Sequence, residues 1–144
     1  MKPEDYGIKN YKFNPDGTLD VFQNVYMDSK HLKELPFKFG KVDGYFSCSN
    51  NKLISLKGAP RIVNGDFYCD DNNLKSFKGI PEIVNGDVNC TNNNLKSLDG
   101  LNFDGIYGKI FIFGNPNLKL TEKEEFWIIL NPGKLKSNWR VRQI

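Results

Sequence analysis

The chain has 144 residues, 39% hydrophobic, 13% aromatic and 26% charged, which fits one folded domain with a packed core and excludes wholesale disorder. Twenty basic against 17 acidic residues leave +3, too small an excess to imply nucleic acid by itself. No apolar run approaches the ~18 residues that cross a bilayer, Met1-Lys2-Pro3-Glu4-Asp5 is not the start of a secretory signal, and an odd three cysteines suit a reducing compartment, so a cytoplasmic location is expected.

The first predicted element is a hairpin. Tyr11-Lys12-Phe13 and Leu19-Asp20-Val21-Phe22 flank Asn14-Pro15-Asp16-Gly17, whose Pro-Asp-Gly run is turn chemistry. Residues 1–22 are read as an N-terminal cap.

Residues 23–120 then repeat. Cys48, Cys69 and Cys90 are 21 residues apart, and Asn51, Asn72 and Asn93 follow them at three. Leu53, Leu74 and Leu95 follow at five, Leu56, Phe77 and Leu98 at eight, and Gly58, Gly79 and Gly100 at ten. Gly44, Gly65 and Gly86 precede each Cys by four. The register decays outward to Met27 on one side and, with a slip of about one residue, to Ile112 on the other. Five coils are expected, centred near Met27, Cys48, Cys69, Cys90 and Ile112.

A unit this short cannot bury its own apolar face, so stacking must supply the core. Phe67 and Cys69 alternate with Asp66, Tyr68 and Asp70, the period of a strand with one buried face. In-register strands predict a parallel sheet. Asn64-Gly65 and Asn85-Gly86 are also the residues of type I′ hairpin turns, so an array of hairpins is the competing fold. The first of those positions drifts to Asp43 and Tyr107 while the glycine stays, which favours the solenoid.

An alternating strand, an asparagine at the bend and then spaced leucines resembles the leucine-rich repeat. The nearest likeness is to its short bacterial form of about 21 residues, found in small proteins of tailed bacteriophages and their hosts. The resemblance covers residues 21–120 and implies a mainly β solenoid with a parallel sheet. Pro60 and Pro81 argue for turns or single 3₁₀ segments, not helices, opposite the strands.

Beyond residue 120, Thr121 with Glu124 forms a capping box. It opens a helix with Phe126, Ile129 and Leu130 as its apolar face, stopped by Asn131-Pro132-Gly133. Residues 121–144 complete the single domain as a helical cap and a basic tail. Lys134, Lys136, Arg140 and Arg142 put four cations and no acid in that tail, and the remaining residues sum to −1 against +3 for the whole. The tail is read as a solvated terminal strand with Trp139 on the cap.

Enzyme chemistry is hard to place. His31 is the only histidine, at a bend of the degenerate first coil, and no nucleophile elbow, phosphate loop or dinucleotide fingerprint occurs. The cysteines form one inward column, which suits small core residues better than tetrahedral zinc or a disulfide. The asparagines are read as a ladder that satisfies backbone groups at the bends. No enzyme activity, metal or cofactor is expected.

What remains is the outer face of the strands. One column there reads Tyr26, Ser47, Tyr68, Asn89, Phe111, and its neighbours supply Tyr45, Asp66 and Asp87, then Asp28, Ser49, Asp70 and Phe113, with Asp71 beside them. Tyr26, Tyr45, Asp66, Tyr68, Asp70, Asp71, Asp87, Phe111 and Phe113 are the candidate protein-binding residues, since aromatic anchors in an acidic surround suit a basic patch on a protein partner. Phe111 and Phe113 carry a second reading, that the C-terminal helix covers them. The likeness to phage repeat proteins implies an accessory protein that binds and blocks a host defence or regulatory protein. The alternative is a nucleic-acid binder using the lysine columns Lys33, Lys75, Lys96 and Lys57, Lys78 with the basic tail.

Overall fold

The computed structural model describes residues 1–136. The Trp139, Arg140 and Arg142 part of the basic tail lies outside the described residues. Two parallel sheets wind around one core in about four turns. In chain order the strands are β1 (Tyr11–Phe13), β2 (Leu19–Val21), β3 (Val25–Tyr26), β4 (Phe39–Val42), β5 (Phe46–Ser47) and β6 (Ile62–Val63). They continue as β7 (Phe67–Tyr68), β8 (Ile83–Val84), β9 (Val88–Asn89), β10 (Ile110–Phe111) and β11 (Leu135–Lys136), with helix α1 (Glu122–Leu130) between the last two. One sheet runs β1-β2-β4-β6-β8; the other runs β11-β10-β9-β7-β5-β3. Among the described residues only β1 pairs antiparallel, with β2.

The register repeats the sequence period. Phe46 pairs with Phe67, Phe67 with Val88, and Val88 with Ile110. All four are fully buried, as are Met27, Cys48, Cys69 and Cys90. Phe46 and Phe67 stack with their planes 8° apart and centroids at 5.6 Å. Burying a side chain of that size contributes on the order of 1.5–3 kcal/mol, so the inward columns are the main source of cohesion.

Each coil carries two short strands, where alternation in the sequence pointed to one. The second strand, Ile62–Val63 or Ile83–Val84, is only two residues long, too short for a period of two to show. The Asn-Gly pairs are the corners between the sheets and not hairpin turns. Neither residue of Asn64-Gly65 or Asn85-Gly86 has positive φ, which a type I′ turn requires at both central positions. The glycine serves close approach instead. Gly65 N donates to Gly44 O at 2.9 Å, and a Cβ on Gly65 would lie 2.9 Å from the Gly44 carbonyl carbon and the Tyr45 nitrogen. Opposite the second sheet the chain returns through hydrogen-bonded turns, Ile80 N to Phe77 O at 3.0 Å, with Gly79 at φ 89°, a conformation glycine adopts freely.

The 22-residue spacing from Cys90 to Ile112 is absorbed at a 3₁₀ turn, Phe103–Gly105. It stands where the preceding coil has Pro81, and there the first sheet shrinks to a single bridge, Val84 to Ile106.

The N-terminal hairpin forms as expected around Pro15-Asp16-Gly17, and β2 doubles as the first parallel rung, with Leu19 and Val21 fully buried. Phe22 stays outside the strand, half exposed. At the other end the capping box is present: Glu124 N donates to Thr121 Oγ1 at 3.1 Å and Thr121 N to Glu124 Oε1 at 2.9 Å. The face of α1 that packs is not the expected one. Phe126, Ile129 and Leu130 are exposed, while half-buried Trp127 meets Phe103 at 4.2 Å. No described helix is long and apolar enough to cross a membrane.

Candidate functional site

The candidate residues fall into three groups. Tyr26, Tyr45 and Tyr68 meet as a ladder across three rungs of the second sheet. Tyr45 lies edge-on to Tyr26 at 4.9 Å and to Tyr68 at 6.3 Å. Between Tyr26 and Tyr68 their column holds Ser47, small and 4% exposed. A depression of about 520 Å³ results, lined by the three tyrosines with Asp28, Ser47, Ser49, Asp70 and Asn89.

The acids divide by what their oxygens already do. Asp66 accepts from Asp87 N at 2.7 Å and from the Tyr68 hydroxyl at 2.8 Å, and Asp87 accepts from Lys109 N at 2.7 Å. These side chains close backbone donors of the following coil at a corner, so their repetition is architectural. Asp71 is exposed at φ 54°, in the column of Asn50 (φ 54°) and Asn92 (φ 56°). Asp and Asn tolerate that left-handed conformation, and Asp71 also accepts from Asn92 Nδ2 at 3.0 Å.

Asp28 and Asp70 differ. Asp28 Oδ1 accepts from Ser47 Oγ at 2.5 Å and Ser49 N at 2.9 Å, and Asp70 Oδ1 accepts from Ser49 Oγ at 2.6 Å. The Oδ2 of each takes no hydrogen bond from the described residues, and no described cation lies within ion-pair distance of either. Burial pushes the Asp70 carboxyl above its usual range against the pull of the Ser49 hydroxyl, and the charges of Asp71 and Asp28 push the same way. Donation to Asp66, with burial behind it, takes the Tyr68 phenol up to about 12.

Phe111 and Phe113 stand apart from this depression. Phe113 is 39% exposed, and Phe111 is half-buried, its backbone paired with Lys136 of β11. Asp28 and Ser49 are lining residues that the sequence placed in the right column without marking as binding. Asp28 belongs to the degenerate first coil, where the repeat pattern is weakest.

The other features have structural accounts. Asn72 Nδ2 donates to Cys48 O at 3.0 Å and Cys69 O at 3.2 Å, while its Oδ1 accepts from Leu53 N at 3.0 Å. Asn51, Asn93 and Asn115 repeat the arrangement. The three cysteines are free and fully buried, with the sulfurs of Cys69 and Cys90 at 2.6 Å, closer than parallel projection suggests. His31 is exposed at φ 57°. Lys33, Lys57, Lys75, Lys78 and Lys96 are all exposed. Among the described residues, no group of three or more His, Cys, Asp or Glu is placed to hold a metal ion.

Comparison with protein-family models, with curated proteins and with solved structures returned no match to this chain.

Proposed function

We propose that the protein is a non-catalytic interaction module, a solenoid of the short leucine-rich-repeat type that docks a protein partner on the outer face of its second sheet. The observation that carries this reading is the tyrosine ladder Tyr26–Tyr45–Tyr68 bordered by Asp28 and Asp70. Outward columns of a stacked sheet are free of packing demands, so three aromatics on adjacent rungs need another reason, and tyrosine is a strong interface anchor. The backbone beneath is held by coil-to-coil hydrogen bonds, so docking orders little that was not already ordered.

The likeness to small phage repeat proteins extends the proposal. The module acts in the cytoplasm as a phage or prophage accessory protein that occludes a host defence or regulatory protein. Nucleic acid is the second reading, resting on the exposed lysine columns, and the acidic depression argues against it on this face.

The test is capture of a partner from bacterial lysate by the wild-type chain and by Tyr68→Ala/Asp70→Ala, with circular dichroism to show that the double variant is folded. Loss of the captured protein supports the strand face. Capture retained by the folded variant overturns it, and binding to mixed RNA that collapses with salt supports the second reading.

A further inference from the structure

The depression has a chemical bias that narrows the partner. Its walls are the rings of Tyr26, Tyr45 and Tyr68, and among the described residues its only ionisable groups besides those phenols are the carboxylates of Asp28 and Asp70. Each carboxylate keeps one oxygen unused by the described residues, while Asp66 beside them has both engaged. Asp28 and Asp70 stand two rungs apart, about 10 Å at the usual strand spacing, with the Ser49 hydroxyl between them.

Resting on the protein-docking reading above, we infer that this depression seats arginine side chains of an extended segment of the partner, one guanidinium against Asp70 and flat on the Tyr45 ring, with the Tyr68 ring edge-on beside it. The site asks two things of its ligand at once: a flat face to lie on aromatic rings and N–H donors for a carboxylate oxygen. A guanidinium does both, whereas an ammonium is compact, strongly hydrated and cannot stack. Asp70 is already half-desolvated and pressed by neighbouring carboxylates, so an incoming cation relieves a strain that the free protein carries. A second arginine reaches Asp28. A phosphate backbone finds only like charge here.

The experiment uses three capped pentapeptides of glycine alternating with arginine, with its neutral isostere citrulline, or with lysine. They are titrated into the full chain at fixed ionic strength and followed by tyrosine fluorescence and two-dimensional NMR. The arginine peptide is expected to shift resonances of Tyr45, Tyr68 and Asp70 saturably. The citrulline peptide binds about tenfold more weakly and the lysine peptide more weakly than arginine. Asp70→Asn and Tyr45→Leu, each checked by circular dichroism, lose a similar factor for the arginine peptide.

Equal binding of arginine and citrulline, equal binding of arginine and lysine, or undiminished binding by both folded variants overturns the inference. If Tyr68→Ala/Asp70→Ala loses the lysate partner while the peptides show no arginine preference, the docking face stands and only its arginine chemistry falls. If that variant keeps the partner, the face itself falls.

Discussion

The side-chain amide of Asn72 reaches back one coil to donate to the carbonyl of Cys48 at 3.0 Å, and its oxygen accepts from Leu53 N in the same earlier coil. One side chain thus closes backbone groups on both sides of a joint. Asn72→Ala strands Leu53 N at a buried place, while Cys48 O keeps its other donor, Asn51 Nδ2 at 3.0 Å. Stranding such a group costs roughly 1–3 kcal/mol, so a loss of that size is expected in urea unfolding. An unchanged midpoint would refute the ladder's role.

Close approach at the corners predicts that glycine there is irreplaceable for steric reasons. A Cβ at Gly65 falls 2.9 Å from backbone atoms of the preceding coil, which cannot rotate away as a side chain would. Gly65→Ala is expected to destabilise by about 1–3 kcal/mol, read by thermal and urea unfolding, although its φ is one that alanine adopts freely.

Asp70 and Tyr68 give pH signatures of the same sign, one in the acid range and one in the alkaline range. The Asp70 carboxyl titrates above its usual range in the folded protein. Its ionised form therefore opposes folding, and stability from this group is gained as pH falls through the raised value. Asp70→Asn is expected to raise Tm slightly at neutral pH, with the difference closing as the medium is acidified. A lowered Tm at neutral pH would contradict this.

Tyr68, lifted to about 12, contributes stability in full below the unfolded phenol value of about 10, and that contribution is lost as pH rises through 12. An alkaline titration of tyrosinate absorbance should show late ionisation of Tyr68 and also of Tyr11, whose phenol donates to Glu4 Oε1 at 2.5 Å and is raised by it. Tyr68→Phe should remove one phenol's share of the late absorbance, and an unchanged late amplitude in the variant would assign that step elsewhere.

The cysteines should be silent in the folded state. All three are fully buried, and burial pushes the thiols of Cys48 and Cys69 well above their ordinary value. Alkylation by iodoacetamide at mildly alkaline pH is expected to be slow until denaturant is added, after which all three react. Rapid labelling of the native protein would place a thiol outside the core.

Much of this architecture was legible because a stacked coil converts sequence spacing into spatial neighbourhood. Cys48, Cys69 and Cys90, with Met27 and Ile112 at the ends, are one buried column as read, and Tyr26, Tyr45 and Tyr68 do meet. The misreadings have local causes. Ile62–Val63 is a strand only because its counterparts on neighbouring coils pair with it, a signal absent from any single period. Phe126, Ile129 and Leu130 stand exposed because one half-buried ring, Trp127 on Phe103, sets how α1 lies, and helical periodicity cannot say which side of a short helix meets its neighbour. For Asp66, Asp71 and Asp87, candidates by their charge, the structure adds what the sequence does not show, the backbone N–H or turn each one serves.

The corner glycines carry a last consequence for how such a chain grows. Every junction from Gly44 through Gly65 and Gly86 to Gly108 is built alike, so an in-frame duplication of one whole period inserts a new storey without inventing a new fit. A copy one residue short would turn core side chains toward water, unless an elastic spot such as Phe103–Gly105 took up the difference. Length is therefore the property that mutation can most readily adjust in this protein, and with it the number of aromatic steps offered to a partner.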